Sequence, residues 1–162
     1  MKIIADINKG NLIIGDEIFK ISNRIRTLRE GTRPRSQVIR SIPDGLPYDP
    51  QPFPKSVWNV YAVQWQTDET KKISNFDYDE YGPVKIRTDA WCMVNVWELD
   101  QDGDYLRATD KKVKDTAYLL HWTKYNTTLG CIKIERVQDA VTIGKIIERA
   151  LNSGEKVQIE VI

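Results

Sequence analysis

The stretch Leu120-His-Trp-Thr-Lys-Tyr-Asn-Thr-Thr-Leu-Gly-Cys-Ile-Lys-Ile134 decides how the chain is read. Its two apolar ends read as β-strands, and the polar middle reads as the loop between them. His121, the only histidine, falls where the first strand ends. Cys131 falls where the second begins. Two adjacent strands joined this way bring an imidazole to a thiol. A neighbouring imidazolium lowers a thiol pKa from about 8.5 to roughly 3.5–7.5, and it can protonate a leaving group. Gly130 is expected to let the backbone approach a substrate carbonyl. The N–H groups of Leu129, Gly130 and Cys131 are candidate oxyanion donors, worth roughly 2.7–4 kcal/mol each in other enzymes. Asn126, Thr127 and Thr128 offer groups to orient the imidazole. The competing reading of the same residues is structural: a hydrogen-bonded histidine at a strand end and a small buried cysteine.

Downstream, apolar residues from Val137 to Leu151 recur at three and four, and Gly154 stands where a helix stops. Lys156-Val-Gln-Ile-Glu-Val161 alternates strictly and closes the sheet. Upstream of Leu120, strands dominate. Lys2–Asn8 and Asn11–Ile14 flank a turn at Lys9-Gly10, and Glu17–Ile21 alternates after Gly15-Asp16. Ile42 to Pro54 holds five prolines and reads as a fixed, extended loop. Val57–Trp65 is a strand, and Thr67–Gly82 an acidic excursion or lid. Ala90–Trp97 is the most apolar strand, with Cys92, Val94 and Val96 on one face. Cys92 is read as buried and inert, with a Cys92–Cys131 disulfide as the rival. Asp100–Asp104 is a solvated turn that lacks the spacing of a calcium loop. Thr116–Leu120 is a buried strand leading into His121. The class is mainly β, a mixed β-sheet or β-sandwich with one clear C-terminal helix, in a single domain spanning residues 1–162.

Composition narrows the function. Twenty-four Lys and Arg balance 23 Asp and Glu, for a net charge of +1. Nucleic acid is therefore not an expected partner on bulk charge. Six arginines between Arg24 and Arg40 read as a solvated loop or as a patch for an anionic polymer. No stretch has the roughly 20 apolar residues of a membrane span. Asp6, Asn8 and Lys9 interrupt any leader in the first residues, so synthesis in the cytoplasm is expected. No Cys/His cluster suggests a metal, and no cofactor is expected.

His121 followed by Thr128-Leu-Gly-Cys-Ile-Lys133 resembles the L,D-transpeptidase catalytic domain. That family's pattern is a strand-end His and then Ser-x-Gly-Cys-aliphatic-Arg. Gly154-Glu-Lys-Val-Gln-Ile159 is similar to the family's closing stretch, and Ile42-Pro-Asp-Gly45 to its Pro-x-Gly turn. The clear match covers Leu119 to Ile162. Trp122 stands where the family has Gly, Lys133 where it has Arg, and the His-to-Cys spacing is short, as in compact phage- or effector-associated relatives. The resemblance implies an L,D-transpeptidase-like fold and a peptidoglycan stem peptide as partner. It also implies acyl transfer by Cys131 with His121 as base and Thr128 beside them. Gly130 and Leu129 would form the oxyanion site, and Lys133, Trp122 and Tyr125 would bind substrate. Trp58 and Tyr81 are further aromatics for the cleft, or equally for core or rim. The site of action would be the periplasm or cell wall, reached by a non-classical route. Two alternatives stand beside it: a non-catalytic wall-binding or virion component with the same fold, and an unrelated cysteine hydrolase.

Overall fold

The computed structural model describes residues 1–26, 47–67, 77–99, 101 and 105–162. Strands outweigh helix, as the alternating pattern predicts. The strands are β1 (Lys2–Asp6), β2 (Asn11–Ile14), β3 (Glu17–Ser22), β4 (Val57–Trp65), β5 (Val84–Thr88), β6 (Cys92–Leu99), β7 (Tyr105–Asp115), β8 (Leu119–Trp122), β9 (Ile132–Ile134) and β10 (Val157–Val161). A short helix, α1 (Tyr78–Tyr81), precedes β5, and α2 (Val137–Asn152) separates β9 from β10.

Eight strands close into a barrel in the order β1-β10-β4-β5-β8-β9-β3-β2, with β2 returning to β1. The sheet is mixed: β1–β10 and β8–β9 are parallel and the other barrel pairs antiparallel. The sequence left sheet and sandwich open. Closure follows from both ends of the chain being strands with one apolar face each, so pairing them removes two edges at once. Alternate residues point inward: Ile3 and Ala5, Leu12 and Ile14, Val84 and Ile86, Ile132 and Ile134, Val157, Ile159 and Val161. The hairpin turn between β2 and β3 is Gly15-Asp16, with positive φ at Gly15 alone, the pattern of a type II′ turn.

Helix α2 buries Ala140, Ile143, Gly144, Ile147 and Ala150 in the same core. It ends where expected, since Gly154 has φ 80°. Strands β6 and β7 form a separate two-stranded sheet. The proline segment is tied to it: Asp49 N–H donates to the Asn95 carbonyl at 2.8 Å, and Trp97 N–H to that of Pro47 at 2.8 Å. β5 and β7 were not anticipated. Thr116–Tyr118 is not strand, and β8 begins at Leu119. Most of the arginine cluster, the Ile42–Gly45 turn, positions 68–76 of the acidic excursion, and Asp100 with Asp102–Asp104 lie outside the described residues. Among the described residues no helix is long and apolar enough to cross a membrane.

Candidate functional site

Parallel pairing of β8 with β9 sets the site. Leu120 pairs with Ile132 and His121 with Lys133. Leu120 and Ile132 face the core, fully buried. His121 and Lys133 therefore point to the outer face, because strand side chains alternate. Cys131 lies two residues before Lys133 and shares that face. Cys131 stands just ahead of β9, beside Leu119, and the imidazole is two residues further along β8. The loop Thr123–Cys131 joins these strands without a helix, which is short for a parallel connection. Strand β5 lies on the other side of β8, with Lys85 opposite His121 and Arg87 opposite Leu119.

The imidazole is oriented by its own strand. Its Nδ1 lies 2.8 Å from the Trp122 carbonyl. Since a carbonyl only accepts, the proton is assigned to Nδ1, leaving Nε2 as the basic nitrogen. Tyr81, at the end of α1, packs against the ring with centroids 5.1 Å apart and planes tilted by 57°. α1 is held against the loop by Lys124 N–H and Thr123 Oγ1, which donate to the Asp79 carbonyl at 2.9 and 3.2 Å. Burial drives the His121 pKa down to about 4, assisted by the Lys85 cation, while the backbone bonds of Trp122 and Glu80 pull the other way.

The thiol is equally enclosed. Cys131 donates to the Ala117 carbonyl at 3.3 Å and accepts from Leu119 N–H at 3.4 Å. Burial pushes its pKa up to about 12, against the Leu119 bond. The expected imidazolium–thiolate pair is thus corrected to two neutral partners. With both groups taken from water, each charged form costs more than the neutral one. Among the described residues, no hydrogen bond joins Cys131 to His121. The burial expected of the two cysteines is also reversed. Cys131 is 9% exposed, whereas Cys92 is half-buried, and both are free thiols. Cys92 lies 2.8 Å from the Tyr118 hydroxyl.

Thr128 braces the loop rather than the imidazole. Its hydroxyl donates to the Cys131 carbonyl at 2.7 Å and accepts from Gly130 N–H at 3.2 Å. That bond occupies one of the three candidate oxyanion donors. Gly130 is packed closely against the protein itself. It has φ 126°, and a Cβ there would lie 2.5 Å from the Gln51 carbonyl and 2.8 Å from the Tyr118 ring. Asn23 completes the brace from β3's end, donating from Nδ2 to the carbonyls of Gly130 and Cys131 at 2.8 and 2.9 Å.

The expected substrate-binding residues separate. Trp122 alternates with His121 and packs against the core, Tyr78 and Gly82. It is on the wrong face to share a cleft with the imidazole. Lys133 is on the right face, buried, with its ammonium 3.6 Å from Glu135. Tyr125 is exposed on the loop, with Arg26 over its ring at 5.8 Å. Trp58 sits on the β4–β10 seam, bonded to the Pro54 carbonyl. Sequence reasoning missed Lys85, Arg87 and Asn23. Only the alternation of Val84-Lys-Ile-Arg-Thr88 hinted that the first two share a face. Among the described residues no group of three or more His, Cys, Asp or Glu is arranged to hold a metal.

Neither a protein-family model nor a curated protein matches the sequence. A solved structure of Bd1075 from Bdellovibrio bacteriovorus aligns over 99% of this chain and 46% of its own, at 12% identity and a TM-score of 0.40. The chain spans under half the length of that protein.

Proposed function

We propose that the chain is a cysteine acyl-transfer enzyme acting on peptidoglycan stem peptides, as an L,D-transpeptidase or L,D-carboxypeptidase. The observation that carries the reading is the Cys131 thiol, just ahead of β9, lying against β8 at Leu119 N–H, two residues before a His121 whose Nδ1 is tied to a backbone carbonyl. The residues Thr128-Leu-Gly-Cys-Ile-Lys133 supply the chemical identity, through their resemblance to that family.

The neutral pair defines the step. Cys131 sulfur attacks the acyl carbonyl as its proton passes to His121 Nε2. The carbonyl C–N bond breaks, the departing amine takes the proton from the imidazolium, and a thioester remains. Water or a second amine then adds to the thioester, giving its proton to Nε2. The C–S bond breaks and the thiol is restored. General-base removal of the thiol proton during attack fits a thiol that burial keeps protonated.

A tetrapeptide stem offers an L-centre followed by one D-Ala leaving group. Purified protein should convert tetrapeptide muropeptides to tripeptides, or to exchanged and cross-linked species when an amine is supplied, and spare pentapeptides. Cys131→Ser should abolish both products. Muropeptide profiles that are identical for wild type and Cys131→Ser would overturn the enzyme reading. The second reading, a wall-binding component without turnover, is favoured by the enclosed thiol and its bond to Ala117. It expects retention of the protein on wall sacculi with unchanged muropeptides.

A further inference from the structure

The outer face around the thiol carries two cross-strand rows. One is Lys85–His121–Lys133 and the other is Arg87–Leu119, whose N–H reaches the Cys131 sulfur. We propose that Arg87, supported by Lys85, receives a free carboxylate of the acyl donor one residue beyond the carbonyl attacked by Cys131. This rests on the reading of Cys131 as the nucleophile.

Position argues for it first. Neighbouring strands lie about 4.8 Å apart, and one residue of extended chain spans about 3.5 Å. The Cys131 sulfur already reaches β8, 3.4 Å from Leu119 N–H, and Arg87 stands opposite Leu119 on β5, one strand spacing further on. A leaving group one residue long that starts at the thiol therefore brings its carboxylate within reach of the Arg87 side chain. Availability argues next. Arg87 donates from Nε and Nη2 to the Gln64 side-chain oxygen at 3.1 and 2.7 Å. Gln64 is neutral, so this fixes the guanidinium without cancelling its charge. Of five guanidinium donors, three remain. A planar fork of this kind suits a carboxylate. Lys85 rests its ammonium 3.9 Å over the Tyr81 ring, beside the same path. Lys133, at the position the family resemblance would give to carboxylate recognition, is instead buried with Glu135 beside its ammonium.

The test compares a tetrapeptide muropeptide ending in a free acid with the same compound ending in a carboxamide. In wild type, amidation should lower kcat/KM by about 10- to 100-fold, the range for hydrogen bonds to a charged group. Arg87→Met should cost the acid a similar factor and leave the amide within about twofold. Arg87→Lys should recover part of the acid preference, and Lys133→Met should leave the ratio unchanged. An acid-to-amide ratio near one in wild type, or one unaffected in Arg87→Lys, would overturn the proposal without the need for Arg87→Met to fold. Calorimetric binding of both peptides to Cys131→Ser separates the two readings. Tighter binding of the acid with no turnover by wild type would sink the cysteine mechanism and keep the carboxylate subsite. Turnover by wild type without acid preference would do the reverse.

Discussion

Cys131 and His121 are both held neutral by burial, and that makes their pH behaviour specific. A thiol raised to about 12 gives no thiolate plateau near neutrality. Iodoacetamide labelling of native Cys131 should be slow at pH 7–8, slower than that of half-buried Cys92, and should climb steeply above pH 9. Peptide mass mapping checks this, and a labelling plateau below pH 8 would contradict it. His121 makes the matching prediction for stability. Its folded pKa of about 4 lies below its ordinary 6.5, so the unfolded chain takes up a proton first as pH falls. The stability tied to this group is complete above pH 6.5 and is lost as pH falls toward 4, by up to roughly 3 kcal/mol. His121→Asn keeps an N–H for the Trp122 carbonyl but removes the titration. Its urea midpoint should therefore depend less on pH between 6.5 and 4 than that of wild type. Gly130→Ala meets both a positive φ and the Gln51 carbonyl, and should cost roughly 2–5 kcal/mol, read by chemical denaturation.

Among the elements, α2 holds a glycine against the usual preference. Gly144 to Ala should gain about 1 kcal/mol from helix propensity alone. Here a Cβ would lie 3.0 Å from the Trp65 ring and 3.3 Å from Val84. The ring is not free to retreat, because its Nε1–H donates to Glu148 at 2.7 Å. Gly144→Ala should therefore lower Tm in wild type and raise it in a Trp65→Phe background, where the far half of the indole is gone. A rise in both backgrounds would show that the contact is soft. The same elements show what the sequence could and could not convey. Val57–Trp65, α2 and β10 were legible because apolar residues repeat at the period of the element. β7 was not, because Lys111, Lys112 and Lys114 fill a strand of a small sheet whose apolar contacts are few. His121 and Cys131 were legible by residue type alone. Arg87, Lys85 and Asn23 were not, since their places depend on registers between segments far apart in the chain. Gly130 was noticed by residue type, but its close approach to the Gln51 carbonyl is one that no local pattern reveals.

At the scale of the molecule, the barrel is closed by the two ends of the chain. β1 runs parallel to β10 from Lys2–Gln158 to Ala5–Val161. Ile162 N–H donates to Ala5, and Ile7 N–H to Ile162. Deleting residues 1–6 should strip one edge of β10 and one of β2, and expose Ile159 and Val161. The expected result is loss of cooperative unfolding and self-association on size exclusion; a monomer with an unchanged transition would show that β10 needs no such partner.

The parallel seam also orders events during translation. The hairpin of β1 and β2 leaves the ribosome early, with one strand's backbone donors and acceptors still unmatched. Their partner is the last strand of the barrel to be made, so no local contact can satisfy them sooner. Loop closure across the whole domain has to precede that pairing, which places the seam late in folding. Until then the nascent hairpin is an open template for any extended segment nearby. A chaperone acting on this chain would be needed most at the edge of β1 that β10 later covers.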